Sequence, residues 1–144
     1  SIFNAILMEF LEKNLDGFER LIKEIKPDDM SMGNVIKIVV QTTHDGFADM
    51  GKLSSLLLQY APQILPPSHF KKTDERIAKF LLEKMKEYDL KIGPKDPELA
   101  FFVCSQSVRS VMYMNFLNRK PEERQRITDE LIAMLTVYLE TKQT

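Results

Sequence analysis

The residues that follow Gly93-Pro94-Lys95-Asp96-Pro97-Glu98-Leu99 constrain this chain more than any others, because they join a clear helix start to a helix that is apolar on more than one side. Asp96 suits an N-cap, where its carboxylate accepts a bond from an otherwise unpaired backbone N–H. Pro97 suits the first helical position, where no N–H is needed, and Glu98 sits where the helix dipole favours negative charge. The helix expected over residues 97–117 carries Phe101, Cys104, Val108, Val111 and Met112 on one stripe and Leu99, Phe102, Val103, Tyr113 and Leu117 on another. A helix apolar on two faces must be buried on two faces. In a chain of 144 residues, long enough for one domain with one core, the second surface is expected to meet another copy of the chain.

The remaining pattern is helical throughout. Phe3, Leu7, Phe10, Leu11, Leu15, Phe18, Ile22 and Ile25 recur at steps of three and four and predict a first helix over 2–26, ended by Pro27-Asp28-Asp29. A second begins near Ser31 and carries Val35, Ile36, Val39 and Val40; its β-branched residues make a strand the competing reading for 35–43, but no other segment could pair with one. Gly46 and Gly51 leave open whether it breaks or passes through residues 44–51. A third helix is expected over 52–60, stopped by a loop at Pro62, Pro66 and Pro67, and a fourth over 70–88 with Ile77, Phe80, Leu81, Met85 and Tyr88 on one face. Pro121 opens the last, which runs to about residue 140 and shows Ile127, Leu131, Met134, Leu135 and Tyr138; residues 141–144 are expected to fray.

Chemistry is sparse. The net charge of −1 is the wrong balance for a surface that grips phosphates, and the Lys71-Lys72 and Arg119-Lys120 clusters lie beside acidic residues. The lone cysteine, Cys104, excludes an internal disulfide and has apolar neighbours, which suits a buried thiol rather than a nucleophile. His44-Asp45 has only His69 to join it, too few ligands for a metal centre, and no nucleophile elbow, phosphate loop or Cys-x-x-Cys is present. No catalytic residue, metal site or cofactor is expected, and no apolar run approaches the ~20 residues of a membrane span. Eight methionines and the polar residues Gln41, Thr42, Gln106, Ser110, Tyr113 and Asn115, set in apolar helix faces, suit either core packing or an apolar pocket with a few polar groups.

The block from Ala78 to Leu139 resembles the C-terminal half of the TetR family of bacterial transcriptional regulators. The resemblance rests on the charged amphipathic helix over 77–88, the link with Leu90 and Ile92, Asp96-Pro97-Glu98-Leu99-Ala100 and the long helix after it, the turn at Pro121, and Ile127 through Tyr138-Leu139. Ser1-Ile2-Phe3-Asn4-Ala5-Ile6-Leu7 likewise resembles the family's helix after the DNA-binding domain, where a Phe packs on that domain. Asp89 stands where many relatives have Gly, and no segment looks like a helix-turn-helix.

The resemblance implies an all-α, TetR-like C-terminal domain of about six helices, with residues 1–144 forming one regulatory domain and the N-terminal helix-turn-helix missing. It implies a homodimer made by a four-helix bundle of the last two helices, with Val108, Val111, Met112, Leu131, Leu135 and Tyr138 as candidates for its centre. It implies a cavity for a small, apolar or amphipathic effector, walled by Ile36, Val40, Phe47, Leu57, Phe80 and Phe101, with Gln41, Gln106 and Tyr113 supplying polarity. DNA would be met only through the missing domain, in the cytoplasm and without a membrane. A helical dimerisation or adaptor module with a solid core is the alternative, and an unrecognised all-α enzyme a more distant one.

Overall fold

A computed structural model describes residues 2–64 and 67–142; the side chains of residues 3, 4 and 61–69 lie outside the described set. The described residues form six α-helices and no strand: α1 (Ile2–Lys23), α2 (Met32–Asp49), α3 (Lys52–Ile64), α4 (Pro67–Glu87), α5 (Pro97–Asn118) and α6 (Pro121–Glu140). The expected packing of Phe3 and the second histidine, His69, therefore fall outside the described side chains, as do Pro66 and the end of the fraying tail at 143–144.

Local chemistry sets most boundaries. Lys26 is extended (φ −65°, ψ 143°), as a residue before proline prefers, so α1 stops three residues short of the expected end and a 3₁₀ turn at Pro27–Asp29 follows. Ser31 caps α2 by accepting from the Asn34 backbone N–H at 3.1 Å. The helix passes unbroken through Gly46, and the chain turns instead at Gly51, whose φ of +56° is a conformation that glycine enters without steric cost. Asp89 takes the same left-handed region (φ 52°) after α4. Asp96 caps α5 through Leu99 N–H at 3.1 Å.

Two expectations at prolines fail. Pro62 does not end α3, which continues to Ile64, because a proline near a helix end removes only its own N–H from the ladder. Pro67 opens α4 rather than lying in a loop, the position where its missing N–H costs nothing.

α5 lies at the centre, in contact with α2, α3, α4 and α6, while α6 packs most extensively on α2, and α1 on α2. The core joins Phe18 and Ile22 of α1, Val35, Ile36 and Val40 of α2, Leu81 of α4, Phe101 and Phe116 of α5, and Leu139 of α6, all almost fully buried. The loop before α5 is tied to the end of α6: Gly93 N–H donates to the Leu139 carbonyl at 2.7 Å. A Cβ at Gly93 would fall 1.6 Å from the Thr141 carbonyl oxygen, so only glycine allows this backbone contact.

The two stripes of α5 separate only in part, since Tyr113 and Leu117 of the second are half-buried. Phe101, Cys104, Val108 and Met112 are buried within the protomer, whereas Leu99, Phe102, Val103 and Met114 are 57, 48, 41 and 52% exposed. Of the six residues expected at the centre of a dimer, Val108, Met112, Leu131 and Leu135 are buried in the core of a single chain, and Val111 and Tyr138 pack half-buried against it. Their burial leaves them little surface to offer a second copy. The outward apolar residues of α6 are Met134 and Val137. Periodicity marks apolar positions, but on a helix apolar nearly all round it does not say which stripe points inward.

A buried polar cluster joins α2 to α5 and α6. His44 Nδ1 lies 2.7 Å from Thr128 Oγ1, and Asn115 Nδ2 donates to the same oxygen at 3.3 Å and to the Arg124 carbonyl at 3.1 Å. Since Thr128 accepts from Asn115, its own proton can go to Nδ1, which suits a neutral imidazole. Burial lowers the His44 pKa from its ordinary value of 6.5, against the pull of Asp45 and Asp129 and with help from Arg124. The unfolded chain therefore takes up this proton at higher pH than the folded one, and stability falls as pH drops below about 6.5. Urea unfolding followed from about pH 7.5 to about 5.5 is expected to show that decline, and His44→Gln is expected to remove it; equal slopes for both proteins would contradict the assignment.

Candidate functional site

Between α1, α2, α4 and α5 lies a chamber of about 430 Å³, within the range of small-molecule sites. Its walls are apolar over most of their area. α1 supplies Leu7, Phe10 and Leu11; α2 supplies Ile36, Val39 and Phe47; α4 supplies Ile77 and Leu81; α5 supplies Phe101, Val108 and Met112. The Phe10 and Phe47 rings lie 4.6 Å apart between centroids, joining the α1 and α2 walls.

The helices that enclose the chamber meet unevenly. α2 and α5 belong to the continuous core, to which α1 and α4 also contribute; α1 and α4 have few direct contacts with each other and meet through the Phe18 and Phe80 rings, 6.3 Å apart between centroids, through Leu7 and Phe70, and through an ion cluster. Arg76 of α4 donates to Asp16 at 2.8 Å and to both oxygens of Glu19 at 3.1 and 3.2 Å, with Glu12 at 3.8 Å. Asp16 and Glu12 are exposed and Glu19 is largely covered, and ion pairs with exposed partners contribute little to stability individually.

Two polar features interrupt the lining. Asp74 of α4, almost fully buried, accepts from Arg109 of α5 and from Gln106 Nε2 at 3.3 Å. Burial pushes the Asp74 carboxyl up, and the Arg109 charge and both hydrogen bonds pull it down. The Arg109 guanidinium also lies over the Phe70 ring, 4.6 Å from its centroid. Deeper in, Asn14 Nδ2 donates to Thr43 Oγ1 at 3.1 Å, and Thr43 donates its only hydroxyl proton to the Val39 carbonyl at 2.9 Å. That chain fixes the Asn14 amide with its oxygen turned away, and Asn14 Oδ1 is buried with no hydrogen-bond partner.

The chain matches the family described as "Tetracyclin repressor-like, C-terminal domain" over residues 34–139. It belongs to that family. The match spans α2 to α6 almost completely and accords with the six-helix, strand-free arrangement of the described residues. No curated protein and no solved structure matches the chain.

Within this tetracyclin repressor-like domain, four of the nine residues expected at a ligand cavity line the chamber: Ile36, Phe47, Phe101 and Tyr113. Val40, Leu57 and Phe80 are buried in the protein but do not line it. Gln41 is on the outer seam of α2 and α6, where it donates to Asp45 at 2.8 Å and exchanges hydrogen bonds with Gln125 at 3.0 and 2.8 Å. Gln106 faces an adjoining outer depression and supports Asp74.

Sequence reasoning passed over Asp74, Arg109, Asn14 and Thr43. A signal for the first two was present: Asp74 is four residues after Phe70 and three before Ile77, and Arg109 three before Met112, so both charges fall in phase with apolar wall residues. Cys104 lies on the wall too, and burial pushes its thiol up to about 11, which leaves it a protonated, unreactive group at neutral pH. His44 is engaged with Thr128, and among the described residues no three His, Cys, Asp or Glu side chains gather into a metal-binding group. Among them, too, no helix is long and apolar enough to cross a membrane.

Proposed function

We propose that this chain is the effector-binding and dimerisation domain of a bacterial, cytoplasmic transcriptional regulator. Its effector is a small, largely apolar molecule held in the chamber between α1, α2, α4 and α5, and DNA is met by a helix-turn-helix domain outside this chain. The observation that carries this reading is the chamber itself: an apolar space of about 430 Å³ inside a domain of a regulator family. Moving an apolar molecule into such a space gains roughly 25 cal/mol for each Å² of surface removed from water. The alternative, an adaptor with a solid core, does not account for that space.

Control follows from the unequal walls. An effector that fits better with one position of α1 than another shifts the balance between them by its difference in affinity, and by nothing else. α1 meets α4 through few contacts, the Phe18–Phe80 and Leu7–Phe70 pairs and the Arg76 ion cluster, so the α1–α4 spacing is the one a ligand changes in this reading. Two α1 helices in a dimer would carry that change to paired DNA-binding domains.

Thermal unfolding with a panel of small apolar and amphipathic compounds tests the effector half. A true effector at 100 times its dissociation constant is expected to add about 2.7 kcal/mol of stability. Absence of any stabilising compound, across chemically varied members, would favour the adaptor. The dimer half rests on the outward strip of Leu99, Phe102, Val103 and Met114 with Met134 and Val137. Val137 is 64% exposed in one protomer, so Val137→Glu is expected to keep the fold and to turn sedimenting dimers into monomers. A wild-type chain that sediments as a monomer, or a variant that stays fully dimeric, would contradict that surface.

A further inference from the structure

The chamber does not end at its apolar walls. It adjoins an outer depression of about 620 Å³ between α4 and the first turns of α5, and Phe70, Asp74 and Arg109 line both. The ion pair therefore stands where an apolar interior meets a wetter mouth. A ligand long enough to fill the chamber would present its other end to this pair.

The charges at that junction are already balanced. Arg109 and Asp74 neutralise each other, and Gln106 takes the second Asp74 oxygen. An added carboxylate or ammonium would leave one charge unmatched at the edge of an apolar interior, at a cost that grows with the water it loses. An anion meets a further obstacle in the depression, where Asp74, Glu75, Asp96 and Glu98 outnumber Lys71 and Arg109. Hydrogen bonding is less complete than charge. A guanidinium carries five N–H donors, and Arg109 makes only its bond to Asp74 among the described residues. The Phe70 ring lies against the guanidinium, its centroid 4.6 Å from the central carbon.

We infer that the effector is an uncharged amphiphile: an apolar body that fills the chamber, with a head group whose oxygen accepts from the spare N–H groups of Arg109, as an amide, ester or ketone would. This inference rests on the effector reading above and adds the chemistry of the head. Asp74 then sets specificity. It keeps Arg109 neutralised, so that the arginine acts as a hydrogen-bond donor and not as a receptor for anions.

Isothermal titration calorimetry with octanamide, octanoate and octylammonium tests it, since the three share one apolar body and differ in head charge. Octanamide is expected to bind on the order of tenfold more tightly than either ion. In Asp74→Asn the Arg109 charge is unmatched, and octanoate is expected to overtake octanamide. Far-ultraviolet circular dichroism and urea unfolding establish that the variant is folded before it is titrated. Tighter binding of octanoate or octylammonium to the wild type, or equal binding of all three, would overturn the uncharged-head inference while leaving an effector site in place. An unchanged order in folded Asp74→Asn would overturn the role given to Asp74. No binding by any of the three would overturn this inference and the effector reading together.

Discussion

The burial of α5 is the constraint on which the rest of the structure depends. This helix is apolar around most of its circumference, and α2, α3, α4 and α6 all pack on it. Its inward stripe of Phe101, Cys104, Val108 and Met112 serves two roles at once: it is core, and it is the floor of the chamber. Its N-terminus is set by Asp96 and Pro97, and the loop before it is anchored to α6 by Gly93 against Leu139. At the opposite end Asn115 ties it to α6, through Thr128 and the Arg124 carbonyl. The floor is therefore held at both ends, while the α1–α4 side has fewer contacts, made by apolar pairs and the Arg76 ion cluster.

That difference explains how a small domain can hold a hollow. An apolar space between helices forfeits packing contacts, so it persists only where the surrounding elements are well fixed. α2 and α5 are fixed by the shared core and by the His44–Thr128–Asn115 cluster. Arg76 and its three carboxylates hold α4 to α1 across the gap, and Arg109 with Asp74 holds α4 to α5 at the mouth. Both are interactions between groups at fixed positions, which set spacing without filling volume.

Much of this was legible in the residues. The caps at Ser31 and Asp96 mark their helices because an unpaired N–H needs a nearby acceptor, a purely local matter. The steps of three and four gave the helix count for the same reason. Features that depend on several helices at once were harder to read. Val108 and Leu131 are as apolar as Val103 and Val137, and only the packed arrangement decides which pair faces water. Gln41 looked like a pocket residue because it interrupts an apolar face, yet Gln125 of α6 claims it; Asp74 was passed over, yet Arg109 of α5 draws it inward. A polar residue's place depends on its partner, and the partner in each case is distant in sequence.

Crystals of the chain pressurised with xenon test the central claim most directly, because an apolar chamber takes up this gas. The account expects xenon between α1, α4 and α5, in contact with Phe10, Phe101 and Met112. Crystals with no xenon there, in which the α1 and α5 side chains meet and fill the space, would contradict it.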